Sequence, residues 1–498
     1  MQEWTISDLH SAYKNGSTDP VTVCAEYLAR IDELDRNGPA INSIIEINPD
    51  ALAIAEERAE ELRRGAQQGL LHGVPVLLKD NIDTGGRMHT TAGSLALVDA
   101  PPPEDAFLVA RLRAEGAVIL GKTNLSEWAN FRSSKSNSGW SSRGGQTLNP
   151  YATDRTPCGS SSGSGAAIAA NFAVVAVGTE TDGSVTCPAA NCSIVGLKPS
   201  LGTVSRTGII PIAASQDTAG PMARTVRDAA ILLQALAGHD PADIASFPPA
   251  DYLAYLDGES LRGARIGVAR KRAGFHRGVD APFEAALKAI SAAGAEIVDP
   301  ANLPELEAVE QHELTVLLYE FKYGLAEYFR RRNRTAPGAR IASIHDLIVF
   351  NSENAESVLT HFGQELFVKA AECGDLTDEK YVHALGECRS GAGRAVIDAA
   401  LTTRRLDAIV APTNGPAWLI DHVNGDYYTG GAMSSGPAIS GCPHVTVPMA
   451  YYRGLPLGIS FLGKFGDDAK LLGIAHGYER ATRTRVPPTF RAHALREV

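Results

Sequence analysis

The sequence contains few of the patterns that mark metal sites or nucleic-acid interfaces. Its 13 histidines include no H-x-x-x-H pair, and its seven cysteines include no C-x-x-C pair. No basic run is longer than Arg330–Arg332, and the formal net charge is −11. Zinc enzymes and zinc ribbons carry such paired ligands, and nucleic-acid-binding domains carry basic patches. We therefore expect no metal, no cofactor and no nucleic-acid partner.

Long apolar runs are absent as well. The N-terminal segment MQEWTISDLHSAY also lacks the basic start and apolar stretch of a signal peptide. These two absences predict that the protein does not associate with a membrane. The odd number of cysteines, with no C-x-x-C pair, fits reduced thiols in a cytoplasmic protein better than a disulfide framework. We therefore expect a cytoplasmic protein, with an exported form left open.

A chain of 498 residues, of which 44 % are apolar, is long enough to bury a large core. Short apolar runs alternate with helical patterns, which is typical of an α/β fold with a mixed or parallel sheet. We predict one large α/β domain over residues 1–498, with a mixed β-sheet. Its predicted parts are N-terminal helices in 1–65, a sheet core in 70–300, a mostly helical insertion in 304–406 and the rest of the sheet in 407–498.

Two serine- and glycine-rich turns lie between Pro157 and Pro199, on either side of a small-residue helix and a valine-rich strand. Upstream, Lys79 ends the apolar run GVPVLLK. An isolated lysine at a strand end is usually a surface residue. A buried lysine, however, can lose its charge and make a serine hydroxyl nucleophilic without histidine or metal.

Four segments carry a resemblance to a known family: GVPVLLKDN, CGSSSGSG, GTETDGSVTCPAANCSIVGLKP and SQDTAGPMAR. Together they resemble the signature of the amidase signature family of serine hydrolases. Further segments, among them LSEWANFR, LLYEFKYGL and GLPLGISFLG, are similar to the bacterial peptide amidases, which remove the C-terminal amide of peptides. The resemblance implies a large mixed sheet between helical layers and hydrolysis of amide bonds without a cofactor.

The resemblance assigns the nucleophile to Ser184, in the turn TETDGS. The oxyanion hole is expected from the backbone N–H groups of Thr181, Asp182, Gly183 and Ser184, which would stabilise the charge on the carbonyl oxygen during attack. Many relatives have glycine where Asp182 stands, and its side chain is expected to shape the pocket. The alternative interpretation of TETDGS is a polar turn between a strand and a loop.

Ser160 lies at the family's position for a bridging serine, after a peptide bond that is cis in relatives, here Gly159–Ser160. It would pass a proton between Ser184 and Lys79, which is the expected general base. A solvated lysine has a pKa of about 10.4, so burial must lower it before the amine can act as a base. Asp80 would oppose that shift if it pointed inward, and we therefore expect it to point away. Without the motif, CGSSSGSG would be interpreted as a surface loop or a helix cap.

Several neighbouring residues have weaker support. Trp128 and Trp418 are candidate walls of the substrate pocket and equally candidate core residues, and Asn414 is a candidate pocket residue. Asp217, Thr218 and Arg224 are interpreted as loop organisers, and Cys158 and Cys187 as small packing groups.

Other functions stay open at this point. CGSSSGSG resembles a phosphate-binding turn in outline but lacks the G-K-[ST] ending of a nucleotide-binding loop. Within the family, the alternatives to a peptide amidase are the A-type subunit of an amidotransferase that acts on transfer RNA, an aryl acylamidase and a carbamate hydrolase. We expect a small-molecule or peptide amide as substrate, and a monomer or homodimer.

Overall fold

The structure is a computed structural model that describes residues 1–66, 69–303, 309–334 and 339–495. The first residues of the predicted helical insertion, from Pro304, lie outside the described residues. The strands are β1 (Ile44–Ile47), β2 (Pro75–Lys79), β3 (Val118–Thr123), β4 (Trp140–Ser141), β5 (Gly145–Gln146), β6 (Val175–Glu180), β7 (Val195–Lys198), β8 (Thr218–Ala223), β9 (Arg265–Val268), β10 (Glu296–Val298), β11 (Ala408–Pro412), β12 (His444–Tyr452) and β13 (Leu455–Leu462).

The helices precede, connect and flank these strands. They are α1 (Ile6–Asn15), α2 (Pro20–Ile31), α3 (Ala51–Arg63), α4 (Phe107–Ala114), α5 (Ser162–Ala169), α6 (Thr186–Asn191), α7 (Val226–Leu236), α8 (Arg277–Ala292), α9 (Glu310–Asn333), α10 (Ile344–Glu353), α11 (Ala355–Val358), α12 (Glu365–Ala371), α13 (Glu379–Ala392), α14 (Arg394–Thr403), α15 (Ser435–Ser440) and α16 (Asp468–Thr482).

Eleven strands form one sheet in the order β1-β3-β2-β6-β8-β7-β12-β13-β11-β9-β10. β2 is parallel to both β3 and β6, and β9 is parallel to both β10 and β11, whereas the other pairs are antiparallel. The sheet is therefore mixed, which confirms the predicted fold class. Every residue of β2, β3 and β6 is buried, so both faces of this part of the sheet are covered.

The helices begin at recognisable signals. α2 begins after Asp19, whose side chain accepts a hydrogen bond from the backbone N–H of Thr22, and Pro20 occupies its first turn. The region between β10 and β11 contains helices α9–α14 and no strand among its described residues. No helix in the described parts of the chain is both long and apolar enough to span a bilayer.

One short strand departs from the sequence-based prediction. Residues 1–65 were expected to be helical, but Ile44–Ile47 form an edge strand antiparallel to β3. Three of its four residues are isoleucines, which have a high strand propensity, and the edge of the sheet supplies the hydrogen-bond partners. Tertiary pairing therefore decides the conformation of this segment.

The sheet also determines where the chemistry is located. β2 and β6 run parallel, with Leu78 opposite Val177, so Lys79 and Thr179 lie at neighbouring carboxyl ends. The turns that contain Ser160 and Ser184 precede α5 and α6. Catalytic groups gather at this edge of α/β sheets because the loops after parallel strands meet there.

Candidate active site

Lys79 is completely buried and makes three hydrogen bonds. Its Nζ donates to Ser160 Oγ at 2.8 Å, to Thr179 Oγ1 at 2.9 Å and to the Thr179 carbonyl oxygen at 3.1 Å. The amine is thus held against one of the two serines that the sequence singles out. Thr179 was not identified from the sequence.

Burial lowers the pKa of Lys79 to about 7, because water no longer solvates the charged form. The carboxyl groups of Asp217 and Glu180 oppose this shift from a distance. A substantial fraction of Lys79 is therefore neutral near pH 7, as a general base requires.

Asp80 points away from Lys79, as expected. Its carboxylate accepts hydrogen bonds from Thr91 Oγ1 and from the backbone N–H of Gly93, and it lies near the guanidinium of Arg143. Burial raises the pKa of the Asp80 carboxyl group, and the positive charges of Lys122, on β3, and Arg143 oppose this shift. The carboxylate next to Lys79 in sequence is consequently engaged on the other side of the strand.

The Ser160 turn is buried, and the peptide bond between Gly159 and Ser160 is cis, as the resemblance implies. Ser162 Oγ donates to the Cys158 carbonyl oxygen at 2.7 Å within this turn. The backbone N–H of Ser161 donates to the carbonyl oxygen of Ser184 at 3.0 Å. This last bond joins the two serine segments directly.

The Thr181–Ser184 turn is positioned by two carboxylates, those of the buried Glu180 and the half-buried Asp217. Glu180 Oε2 accepts hydrogen bonds from the backbone N–H groups of Val185 and Thr186, at 2.7 and 2.9 Å. Thr181 Oγ1 donates to Asp217 Oδ1 at 2.6 Å. The turn needs a left-handed residue, which is Gly183 at φ +80°. Ser184 is 8 % exposed, so it remains within reach of a bound molecule.

The three candidate pocket residues from the sequence, Trp128, Trp418 and Asn414, are buried, but they have different surroundings. Trp128 packs edge-on against Phe367 in an apolar cluster, and Trp418 Nε1 donates to Asp426 Oδ1 at 3.0 Å. Asn414 Nδ2 donates to Asn191 Oδ1 at 2.8 Å. Trp128 also lines a small cavity together with Asn81 and Ile212. The assignment of the three side chains to the substrate pocket stays a prediction.

The loop residues of the signature have clear structural contacts. Arg224 donates to three backbone carbonyl oxygens, those of Ile168, Ala173 and Trp4. Thr218 begins β8 and is buried. Asp217, besides binding Thr181, accepts hydrogen bonds from the backbone N–H groups of Ile212 and Ala213. These contacts agree with a role in organising the loops around the turn.

The expectation for the cysteines was wrong. Cys158 and Cys187 are neither reduced thiols nor mere packing groups, since they form a disulfide with a Cα–Cα distance of 6.0 Å. They are 29 residues apart in sequence. The folding of the two serine turns against each other brings them together, and no sequence spacing signals that contact.

A cavity of about 300 Å³, unnoticed in the sequence, is lined in part by Thr179, whose hydroxyl accepts a hydrogen bond from Lys79 Nζ. Asn81, which is 3 % exposed, lies in its wall, and its Nδ2 donates to Thr179 Oγ1 at 3.0 Å. Its Oδ1 is buried and has no hydrogen-bond partner among the described residues. The other polar residues of the cavity wall are Thr179, Thr181, Arg206, Thr207, Asp217, Thr218 and Asp243, and its apolar residues are Ala129, Ile209, Ile210, Pro211, Ile212, Ala214, Ala242 and Ile244.

Two carboxyl groups, those of Asp182 and Glu313, lie close together at the oxyanion turn. Asp182 Oδ2 accepts a hydrogen bond from Ser435 Oγ at 2.7 Å, and Gln216 Nε2 donates to Glu313 Oε1 at 2.8 Å. Burial raises the pKa of the Asp182 and Glu313 carboxyl groups, and the negative charge of Asp182 raises that of Glu313 further. Glu313 comes from α9, distant in sequence, so only the fold brings the pair together.

The chain is similar to known amidases over almost its whole length. The family model described as Amidase matches residues 22–472. The structure of native peptide amidase from Stenotrophomonas maltophilia is 50 % identical, superimposes with a TM-score of 0.92, and covers 98 % of this chain and 99 % of its own. A probable amidase of Arabidopsis thaliana is 38 % identical over 98 % of this chain and 92 % of its own.

A component of an amidotransferase is also similar. The A-type subunit of the glutamyl-tRNA(Gln) amidotransferase of Microcystis aeruginosa is 35 % identical over 96 % of this chain and 97 % of its own. Both kinds of relative match nearly full-length chains. The matched family and these relatives, together with the buried lysine and the paired serine turns, show that the chain belongs to the amidase signature family and is a hydrolase acting on amides.

Proposed function

We propose that this protein releases ammonia from C-terminally amidated peptides through an acyl-enzyme on Ser184. The observation that carries the proposal is the 2.8 Å hydrogen bond between Lys79 Nζ and Ser160 Oγ, two side chains without solvent contact. The 50 % identity to a peptide amidase supports the choice of substrate.

Acylation begins with neutral Lys79. The amine accepts the Ser160 hydroxyl proton while Ser160 Oγ accepts the proton of Ser184, whose oxygen attacks the amide carbon. The tetrahedral oxyanion is stabilised by the backbone N–H groups of Thr181, Asp182, Gly183 and Ser184. Removing one such donor typically costs about 2.7–4 kcal/mol of transition-state stabilisation.

The proton then returns to the leaving nitrogen. The C–N bond breaks, its electron pair stays on nitrogen, and the proton held by Lys79 passes through Ser160 to give ammonia. A water molecule attacks the acyl-enzyme by the same route, with its proton taken by the relay, and Ser184 is regenerated. No metal or cofactor is needed for either half of this reaction.

An A-type amidotransferase subunit is the second candidate function, because the one from Microcystis aeruginosa matches almost the whole chain. The two functions differ in what the isolated chain can do. A stand-alone amidase hydrolyses peptide amides by itself, whereas the amidotransferase component works within a complex. An aryl acylamidase or a carbamate hydrolase would instead prefer substrates with a larger leaving group.

A substrate panel tests the proposal. Purified protein is assayed for release of ammonia or amine from peptide amides, anilides, carbamates and glutamine, with Ser184→Ala as the control. Ammonia released from peptide amides alone supports a peptide amidase. Activity that appears only with partner proteins and transfer RNA contradicts it.

The disulfide is relevant to the cellular compartment in which the protein functions. The expected cytoplasmic location rested in part on reduced cysteines, and Cys158 and Cys187 are bonded instead. Disulfides persist mainly in oxidising compartments, so this bond favours the exported form. Fractionating the source cells and detecting the protein with an antibody tests this directly.

A further inference from the structure

The neutral amine of Lys79 has two N–H groups and one lone pair, but its Nζ has three polar neighbours. These are Ser160 Oγ at 2.8 Å, Thr179 Oγ1 at 2.9 Å and the Thr179 carbonyl oxygen at 3.1 Å. The ammonium form can donate to all three oxygens, whereas the neutral amine can donate to only two of them. The placement of these two hydrogens therefore decides whether the lone pair faces Ser160.

The proposed relay needs one particular placement. Ser160 must donate its hydroxyl proton to Nζ, so the lone pair has to point at Ser160 Oγ and both N–H groups have to point elsewhere. The other two contacts of the amine both come from Thr179. Its carbonyl oxygen can only accept hydrogen bonds, and its hydroxyl oxygen has two lone pairs that can also accept. Thr179 thus offers one acceptor to each hydrogen of the neutral amine.

Asn81 holds the Thr179 hydroxyl group in place. Its Nδ2 donates to Thr179 Oγ1 at 3.0 Å, and Asn81 is only 3 % exposed. Because an amide N–H is a donor, the hydroxyl hydrogen of Thr179 cannot point at Asn81. Thr179 lies in the wall of the 300 Å³ cavity, which gives that hydrogen space on the cavity side. The two lone pairs of Oγ1 are then available to Lys79 and Asn81.

The backbone of Thr179 is bound to the turn that contains Ser160. Beyond the last paired residues of β2 and β6, the N–H of Thr179 donates to Ser161 Oγ at 3.2 Å. Ser161 Oγ in turn donates to the Thr179 carbonyl oxygen at 3.0 Å. Since Ser161 follows Ser160 directly, Thr179 connects the Lys79 amine to the turn of its proton donor.

We propose that Thr179 is a positioning residue whose carbonyl and hydroxyl oxygens accept both hydrogens of the neutral Lys79 amine, so that its lone pair faces Ser160. This inference rests on the proposed function, because it concerns the base of that reaction. Without the hydroxyl group, one amine hydrogen would turn toward Ser160 Oγ and the lone pair would turn away. The hydroxyl oxygen also stabilises the ammonium form, since hydrogen bonds from charged donors are the stronger ones.

The test uses two substitutions that separate the hydroxyl group from the methyl group. Thr179→Val keeps nearly the same shape and removes the hydroxyl, whereas Thr179→Ser keeps the hydroxyl and removes the methyl. The rate of ammonia release from an N-acetylated dipeptide amide is measured across neutral pH. We expect Thr179→Val to lower kcat by roughly ten- to hundredfold, the effect of one lost hydrogen bond to a group that becomes charged. Thr179→Ser should keep most of the wild-type rate.

The pH profile distinguishes the orientation of the amine from damage to the fold. Losing an acceptor destabilises the ammonium more than the amine, so the rising limb of kcat/KM should lie at lower pH in Thr179→Val than in the wild type. A merely unstable variant would contain less active protein and keep the limb in place. The control is Thr446→Val, at a buried threonine of β12 whose Oγ1 lies 2.7 Å from Thr413 Oγ1. Its limb should coincide with that of the wild type.

The outcomes that contradict the inference differ from those that contradict the reaction. Equal rates and limbs in Thr179→Val and the wild type would overturn the role of Thr179, and so would an equal loss of rate in the valine and serine variants. Thr179→Ala and Thr179→Ser differ in the same hydroxyl group and provide a second comparison if the valine variant does not fold. A wild type that releases no ammonia, or whose kcat/KM does not rise through neutral pH, would instead contradict the proposed function.

Discussion

Lys79 donates a hydrogen bond to Ser160 Oγ over 2.8 Å, and neither side chain is exposed to solvent. Burial lowers the pKa of the Lys79 amine, and the hydrogen bond holds this amine against Ser160 Oγ. The proposed relay depends on this pair. Its consequences can be measured in solution.

The first consequence concerns pH. Below its pKa of about 7, Lys79 is protonated and cannot accept a proton. We expect kcat/KM to increase with pH through a single ionisation near that value, and Lys79→Met to lose activity while keeping its thermal unfolding midpoint. A profile that is flat through neutral pH would contradict the assignment of the base.

The second prediction concerns the nucleophile. Ser184→Ala and Ser160→Ala should each lower kcat by at least about a thousandfold, because residues of a catalytic relay act as a unit. A fluorophosphonate should add one phosphonyl group to the wild type and none to Ser184→Ala, as seen by intact mass. Ser352→Ala, on the exposed face of α10, is the control and should behave as the wild type. Labelling that persists without Ser184 would place the nucleophile elsewhere.

The third prediction concerns the disulfide. Replacing both Cys158 and Cys187 by alanine should lower the free energy of unfolding by about 2–4 kcal/mol, since the bond closes a loop of moderate length in the unfolded chain. It should also lower kcat/KM, because the bond ties the Ser160 turn to the segment after Ser184. Urea unfolding and steady-state kinetics measure the two effects.

Cys373→Ala is the matched control for this pair. Cys373 is a free, partly exposed cysteine just after α12, and its replacement should change neither quantity appreciably. Equal urea midpoints for the double variant and the wild type would show that the bond does not form.

The fourth prediction concerns Glu313. Burial and the nearby Asp182 hold the pKa of its carboxyl group above the usual range, so it ionises only at higher pH. Ionisation adds negative charge next to the oxyanion turn and should weaken binding of the tetrahedral intermediate. We expect kcat/KM to fall at alkaline pH in the wild type.

Glu313→Gln, which keeps the neutral form, should extend activity to higher pH. The ratio of the two kcat/KM profiles across the alkaline range is the measurement. An unchanged alkaline limb in the variant would rule out Glu313 as its origin, and the decline would then have to come from another group.

Local sequence was sufficient for the strands near the site and for the choice of Lys79, Ser160 and Ser184 as candidates. Buried strands such as PVLLK are short apolar runs. Such a run can be recognised in the sequence without knowing which strands it pairs with. The edge strand Ile44–Ile47 was missed because a neighbouring strand, rather than its own pattern, stabilises it.

Contacts between distant segments could not be predicted in the same way. The disulfide joins two cysteines whose spacing has no meaning until both turns fold, and Glu313 reaches Asp182 only through the placement of α9. Asn81 follows Lys79 closely, but nothing in the sequence reveals that its carbonyl oxygen lacks a donor.

The sequence by itself determined the family and which lysine and serines could serve in catalysis, because these reside in short motifs whose residue types carry the chemistry. Only the tertiary structure decided the proton affinity of Lys79, the bonding state of the cysteines and the cavity lined by Thr179. The desolvation of the Lys79 amine, the pairing of the two cysteines and the volume of the cavity all depend on the residues that surround them. Those surrounding residues come from segments that are far apart in the chain.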